Sequence, residues 1–171
     1  MQAQKIFLVL LIAFIGALYD WKARRIPNWL TFGTLFLALV LNFLDFKLHG
    51  LLNSLIGFFT GIALLFIPYA LGGMGAGDVK LLGAIGALVG YKSVILIFIY
   101  SAICGLFLGI IWILFTPGHL KFLLKTGQIL PTVDKKQKIP YGIAIFMGTF
   151  IYIILGANNI FNSLPGIPTW Q

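Results

Sequence analysis

Long apolar runs separated by short polar breaks are the feature that most constrains how this chain can fold. A helix that crosses a bilayer needs roughly 20 predominantly apolar residues, and it satisfies its own backbone hydrogen bonds in lipid. The pattern predicts an all-α membrane protein, a bundle of about six transmembrane helices in a single domain (residues 1–171) with no separate soluble domain. The apolar segments are 5–20, 28–45, 51–71, 78–91, 93–115 and 140–157.

The composition argues against a soluble domain. Hydrophobic residues make up 60% of the chain and charged residues 9%, whereas soluble domains are about 25% charged. A net charge of +8 could indicate nucleic-acid binding, but the basic residues cluster in short loops between apolar runs. We therefore expect contact with membrane lipid and no nucleic-acid partner.

The sequence gives no indication of a metal or a cofactor. Cys104 is the only cysteine and lies within an apolar run, which excludes disulfides within the chain and cysteine-rich zinc sites. His49 and His119 are predicted to lie on opposite faces of the membrane, and neither has carboxylate ligands at a recognised spacing. We therefore expect no metal site and no cofactor.

The distribution of lysine and arginine predicts the orientation in the membrane. By the positive-inside rule, the side that carries more of them lies in the cytoplasm. This orientation puts the amino terminus of the multi-pass protein on the outer side of the cell (inner) membrane. It puts both Asp20 and Asp78 near the cytoplasmic face. The richer side holds Lys22, Arg24, Arg25, Lys80, Lys121, Lys125, Lys135, Lys136 and Lys138, and the other side holds Lys5, Lys47 and Lys92.

Glycines recur four residues apart in three of the apolar segments. Such pairs let helix backbones approach closely in lipid, where apolar burial gives no driving force. Packing within one bundle is the favoured interpretation, and a homodimer is the alternative. The pairs are Gly57 with Gly61, Gly86 with Gly90, and Gly105 with Gly109. The longest loop, 116–139, mixes apolar residues with lysines and is predicted to contain an interfacial helix.

Two aspartates lie at the ends of apolar segments in a chain that has no glutamate. Asp20 closes the first segment, and Asp78 follows a glycine-rich break. Carboxylates at membrane depth are costly and are usually functional. Two carboxylates that share one proton can hydrolyse a peptide, because the ionised one activates water while the protonated one polarises the carbonyl. The pair therefore suggests aspartic proteolysis.

Structural roles compete with catalysis at both positions. Asp20 could form an ion pair with Arg24 or Arg25 at a helix boundary. Asp78 could be the N-cap of the fourth segment, a role that is compatible with catalysis. The step from Ile26-Pro27 to Asn28 predicts the end of one helix and the start of the next, with Asn28 as the N-cap.

The residues around the aspartates also have two interpretations. Gly75 and Gly77 would leave space beside the carboxylate for a substrate strand. Lys80 would contact substrate carboxylates or influence Asp78, or it would only extend its amine from a helix start towards water. Asp45 and Asp134 are interpreted as solvated charges in polar loops.

In these residues, the chain resembles the prepilin peptidase family of membrane aspartic proteases. The likeness extends over most of the chain and is greatest to the compact peptidases of tight-adherence pili and to archaeal preflagellin peptidases. The residues that carry it are Asp20, Arg25-Ile26-Pro27-Asn28, Gly75-Ala76-Gly77-Asp78-Val79-Lys80-Leu81 and Ile139-Pro140-Tyr141-Gly142.

The resemblance implies removal of a short basic leader from type IV prepilin-like precursors, with Asp20 and Asp78 as the catalytic pair. Arg25, Pro27 and Asn28 would then support the site or bind substrate, as would a second group: Gly75, Gly77, Lys80, Pro140, Tyr141 and Gly142. Larger family members also methylate the new amino terminus through an added region that often has paired cysteines. With Cys104 alone, methylation is not expected.

Two other functions would fit the same hydrophobic chain. A small proton- or cation-coupled transporter would use Asp20 and Asp78 to bind ions, but it predicts carboxylates near the middle of the bilayer. A non-enzymatic component of a secretion machine would leave the two aspartates unexplained. Their predicted position at one edge of the membrane favours the protease.

Overall fold

The protein is all-helical in the part of the chain that the computed structural model describes, residues 2–115 and 141–157, which confirms the predicted fold class. The helices are α1 (Gln2–Ala23), α2 (Asn28–Ala70), α3 (Ala76–Val89), α4 (Tyr91–Phe115) and α5 (Tyr141–Ala157). Their bounds agree with the predicted apolar segments. Several predictions lie outside the described residues: those for His119, Asp134 and Pro140, and the interfacial helix within 116–139.

Helix α2 is a hairpin of two helices rather than one straight rod. Its backbone leaves helical geometry at Phe46 and Lys47, where Lys47 has a φ of 51°. Asn42 Nδ2 donates a hydrogen bond to Ser54 Oγ at 2.7 Å, although residues twelve apart in a straight helix would be separated by about 18 Å. The arms 28–45 and 48–70 therefore run antiparallel and correspond to the second and third predicted segments.

The helices have the length and hydropathy of membrane-embedded structure. Three are long and apolar enough to cross a bilayer, and Tyr141–Leu155 is a shorter apolar helix. Because α2 folds back on itself, the chain returns repeatedly to the same two ends of the bundle. The total of about six crossings stays a prediction. The three long helices are Gln4–Ala23, Asn28–Ala70 and Tyr91–Ile111.

Helix α3 lies at the centre of the bundle and packs against all four other helices. Its Leu81, Leu82 and Ile85 side chains are fully buried. A helix that is apolar on every face has to be covered by others, and α3 has this property. The outer helices instead expose large apolar side chains such as Phe36 and Phe7, which suits a surface that faces lipid. The core therefore holds α3, and with it Asp78, in a fixed position.

Close backbone contacts explain part of the glycine pattern. A Cβ on Gly57 would collide with the Gly86 carbonyl, and a Cβ on Gly86 would collide with the Gly57 carbonyl. Gly61 likewise faces the backbone of Leu82 and Gly83. These glycines let α2 and α3 touch directly, which confirms the predicted packing within one bundle at these positions. A homodimer stays a prediction.

A buried polar network closes the end of the bundle that lies far from Asp20. Lys5 Nζ is 2.5 Å from Asp45 Oδ2 and donates to Asn42 Oδ1 at 2.7 Å. Asn42 also donates to Ser54 Oγ and, at 2.9 Å, to the carbonyl of Ala87 near the end of α3. The interpretation of Asp45 as a solvated charge is therefore wrong, because its side chain is 9% exposed and ion-paired.

Replacing Asn42 by leucine should destabilise the protein, because Lys5, Ser54 and the Ala87 carbonyl would each lose a hydrogen-bonding partner. We expect the free energy of unfolding to fall by about 1–2 kcal/mol. Reversible unfolding in mixed detergent micelles would measure the change. The matched control is Thr60→Val on the second arm of α2, because the exposed Thr60 hydroxyl bonds only within its own turn, to the Ile56 carbonyl. Equal effects of the two changes would contradict a structural role for the network.

Candidate active site

The end of the bundle opposite the Asn42 network brings four helix ends together. Helix α1 ends there, and α2, α3 and α5 begin there. Asp20 lies in the last turn of α1 and is 6% exposed, while Asp78 lies in the first turn of α3 and is 5% exposed. The two aspartates singled out in the sequence are therefore both buried, and both lie at this end.

Asp20 is held by the first turn of α5. Its Oδ2 accepts a hydrogen bond from the Gly142 N–H at 2.7 Å. This N–H is among the first four of the helix, which have no acceptor within the helix and lie at its positive end. A Cβ on Gly142 would lie 2.8 Å from the Asp20 Cβ, so a larger residue would push the carboxylate away. Arg24, one turn after Asp20, acts on the carboxylate electrostatically.

Asp78 is held by the start of its own helix. It is the third residue of α3, and its Oδ2 accepts a hydrogen bond from the Gly75 N–H at 3.1 Å. The N-cap is Gly75, so the prediction that Asp78 is the N-cap is wrong by three positions, although its side chain does satisfy a backbone donor at the helix start. This bond fixes the orientation of the carboxylate at the mouth of α3.

Gly77 packs against the connection between α1 and α2. A Cβ on Gly77 would lie 3.0 Å from the Ile26 Cβ and 3.2 Å from the Ile26 nitrogen. A Cβ on Gly75 would make only an ordinary contact with Asp78 Oδ2, at 3.4 Å. The glycine at 77 therefore lets the Ile26-Pro27 segment close over the start of α3, which is a packing role that the sequence alone did not suggest.

Lys80 and Asn28 meet although they are far apart in the sequence. Lys80 Nζ donates to Asn28 Oδ1 at 3.0 Å and lies 5.7 Å above the centre of the Phe32 ring. The prediction that Asn28 is an N-cap is wrong, because α2 begins at Asn28 itself and Pro27 occupies the cap position. The Asn28 side chain is free to accept from Lys80 because it does not cap the helix. Arg25 is exposed beside this pair.

Two consecutive residues of α5 lie near the two aspartates. While Gly142 holds Asp20, the phenol of Tyr141 lies within electrostatic range of the Asp78 carboxylate. The structure thus brings together Asp20, Asp78, Tyr141 and Gly142, which are separated by up to 122 positions. Pro140, predicted to belong to this group, lies outside the described residues.

Two contributors to the site were not identified from the sequence in these roles. Gly105 of α4 was interpreted as a helix-packing glycine, but it faces the Tyr141 ring. Ile26 was interpreted only as part of a helix stop. Arg24, considered from the sequence as a partner of Asp20 four residues before it, does act electrostatically on that carboxylate. The partners of Gly105 and Ile26 come from distant helices, so no local pattern marks them.

The arrangement suits acid–base chemistry by a carboxylate pair. Each aspartate has one oxygen tied to a backbone N–H, which fixes its direction. Helix starts stabilise negative charge nearby, and burial excludes competing water. Within 2–115 and 141–157, no group of three or more His, Cys, Asp and Glu side chains is placed to hold a metal ion.

The comparisons with known proteins identify one family. A family model described as the type IV leader peptidase family matches residues 6–110, which include both aspartates. The chain is 31% identical over 158 residues to a prepilin leader peptidase/N-methyltransferase of Bacillus subtilis, a match that covers 91% of this chain and 56% of that protein. A protein of the same name from Xanthomonas campestris is 29% identical over 153 residues, covering 85% and 47% respectively.

The chain spans about half the length of the curated relatives that it matches. No solved structure matched it.

Proposed function

The chain belongs to the type IV leader peptidase family, and from this premise we propose that it is a membrane aspartic endopeptidase. It removes the short basic leader from type IV prepilin-like precursors at the cytoplasmic face of the cell membrane. Asp20 and Asp78 are the catalytic pair. The relatives described above are named prepilin leader peptidase/N-methyltransferase, which supports the substrate class.

One observation carries the assignment of the catalytic pair. Asp20 and Asp78 are buried at the same end of the bundle, where Gly142 of α5 binds Asp20 and the adjacent Tyr141 interacts electrostatically with Asp78. Lone buried acids in a transporter would need access to both sides of the membrane. A pair of carboxylates at one end, each oriented by a helix start, instead suits hydrolysis of a peptide that approaches from that side.

The mechanism follows from two carboxylates that share one proton. The ionised carboxylate takes a proton from a water molecule, and the resulting hydroxide attacks the scissile carbonyl carbon. The protonated carboxyl gives its proton to the carbonyl oxygen, so no free oxyanion forms. When the tetrahedral intermediate collapses, the leaving nitrogen takes a proton from the pair, a hydroxyl of the intermediate returns a proton to the pair as the new carboxyl group forms, and the C–N bond breaks. The two aspartates act as one coupled unit, and the roles of base and acid belong to the pair.

The predicted position of Asp20 and Asp78 at the edge of the membrane also fits the proposed substrate. A precursor with an apolar helix and a basic leader would lie with its helix in lipid and its leader in the cytoplasm. The cleavage site then falls at the boundary, where the orientation predicted from the basic loops places Asp20 and Asp78. Exposed Trp21 and Trp29 beside the site are typical of residues at a membrane interface.

Co-expression with a precursor tests this proposal. The protein and several prepilins with basic leaders would be produced together in a strain without its own leader peptidase, and the precursor masses would be measured. We expect a mass loss equal to the leader. If no precursor is cleaved although the enzyme is abundant in the membrane, the peptidase assignment is wrong. Proton flux in vesicles, which tests the transporter alternative, then becomes the next measurement.

A further inference from the structure

The phenol of Tyr141 has no part in the mechanism above, yet it lies between the proposed catalytic pair and α4. Tyr141 is the first residue of α5 and is half-buried. It precedes Gly142, whose N–H holds Asp20. Its hydroxyl is close enough to the Asp78 carboxylate and to the Cys104 thiol for both to act on it electrostatically.

Gly105 forms a seat for the Tyr141 ring. A Cβ on Gly105 would lie 2.7 Å from Tyr141 Cε2, which is closer than real side chains pack, and 3.5 Å from Cζ, an ordinary contact. The ring therefore rests on the bare backbone of α4, and any side chain at 105 would push it away. Because Cζ carries the hydroxyl, this seat also sets where the phenol lies relative to Asp78.

We propose that Tyr141 is a positioning residue of the catalytic pair: its phenol, seated on Gly105, orients the Asp78 carboxylate, while the adjacent Gly142 N–H orients Asp20. This inference rests on the proposed peptidase function. It makes the first turn of α5 the element that sets both carboxylates at once, and it makes α4 a part of the active site through Gly105.

A phenol at this place is suited to the task. Its O–H can donate to a carboxylate oxygen, and in a site of low dielectric a hydrogen bond to a charged group is stronger than in water. The groups that face Tyr141 are Asp78 from α3 and Cys104 from α4, and Asp20 of α1 is bound at the next residue. Loss of the hydroxyl would leave the ring packed on Gly105 and the Gly75 bond to Asp78 Oδ2 in place, but it would remove the phenol dipole that acts on the rest of the Asp78 carboxylate.

Tyr141→Phe tests the role of the hydroxyl. We expect kcat for precursor cleavage to fall by about tenfold or more, because the Asp78 carboxylate would lose a polar group that orients it, with KM and membrane abundance unchanged. The matched control is Tyr152→Phe on the same helix, because the Tyr152 hydroxyl donates to Ser93 Oγ at 2.9 Å. It lies eleven residues along α5, about 16 Å from Tyr141, so its loss should leave kcat unchanged.

Gly105→Ala tests the seat with the phenol still present. The added methyl must displace the ring, so we expect kcat to fall as it does in Tyr141→Phe. If both changes act through the phenol, the double variant will be no slower than the slower single variant. If the reductions in kcat of the two single variants multiply in the double variant, Gly105 acts through general packing. That result would contradict the proposal that Gly105 positions the phenol.

The outcomes separate this inference from the function on which it rests. If the wild-type enzyme cleaves and Tyr141→Phe keeps its kcat, the positioning role is wrong and the peptidase assignment stands. If Tyr141→Phe and Tyr152→Phe lower kcat equally, the effect is structural and the positioning role is again overturned. If the wild-type enzyme cleaves no precursor, the peptidase assignment is wrong and the positioning role is wrong with it.

Discussion

Replacing either Asp20 or Asp78 by asparagine is expected to lower precursor cleavage by about a thousandfold or more while the helical bundle stays folded. Asparagine keeps an oxygen in the place of Oδ2, so the hydrogen bonds from the Gly142 and Gly75 N–H groups can persist. It cannot accept or share the proton that the mechanism requires. The change therefore removes the chemistry and leaves the local structure in place.

The measurement is cleavage of one co-expressed precursor, compared at equal membrane abundance of each variant. Asp45→Asn is the matched control, since the side chain of Asp45 is also largely shielded from solvent but pairs with Lys5 at the far end of the bundle. It should lower the free energy of unfolding, because a buried charge loses its partner, and leave kcat unchanged. Cleavage above about a tenth of wild type in either Asp20→Asn or Asp78→Asn would rule out the pair as the catalytic centre.

The helices could be predicted from sequence because their signal is local and repeated. Each apolar segment ends at charged residues, glycine or proline, and the structure follows these boundaries closely, as at Ala70 and Val89. The hairpin in α2 was also predictable, since Asp45, Lys47 and His49 interrupt the apolar run at its middle. Lipid removes the choice between helix and exposed strand, so the pattern of apolar residues nearly determines the fold class.

The partners of single residues could not be predicted in the same way. Asp45 looked like a solvated charge because Lys47 lies close to it in the sequence, but its partner Lys5 lies on another helix. Asn28 looked like a helix cap because it follows proline, but its side chain accepts a hydrogen bond from Lys80. Such pairings depend on how helices pack, and a single sequence has no information on which distant residues meet.

The candidate site could be predicted from the sequence only in part. Asp20 and Asp78 were identifiable because carboxylates are rare and costly in such a chain. How they are held was not, because Gly142 N–H and the seat on Gly105 involve backbone atoms and an absent side chain. Glycines therefore contribute to this site because they have no side chain. A glycine-to-alanine change can reveal that contribution without altering any functional group.

Gly142→Ala is expected to lower kcat by about a hundredfold, because a displacement near 1 Å at a reacting group has an effect of that size. The new Cβ would lie 2.8 Å from the Asp20 Cβ and 3.0 Å from Oδ2, so the carboxylate must move away from the Gly142 N–H. The catalytic groups themselves would be unchanged. The reduced rate would thus report the geometry of the pair rather than its composition.

Two alanine substitutions serve as controls for Gly142→Ala. Gly148→Ala lies on the same helix and would collide with Ser101, so it should destabilise the protein but leave kcat of the folded enzyme unchanged. Gly33→Ala has nothing within 4 Å of the added methyl and should affect neither cleavage nor packing. If Gly142→Ala loses stability as Gly148→Ala does but keeps its kcat, the start of α5 supports the fold and does not position Asp20. If kcat falls while thermal stability stays near that of Gly33→Ala, the α5 start acts on the chemistry through Asp20.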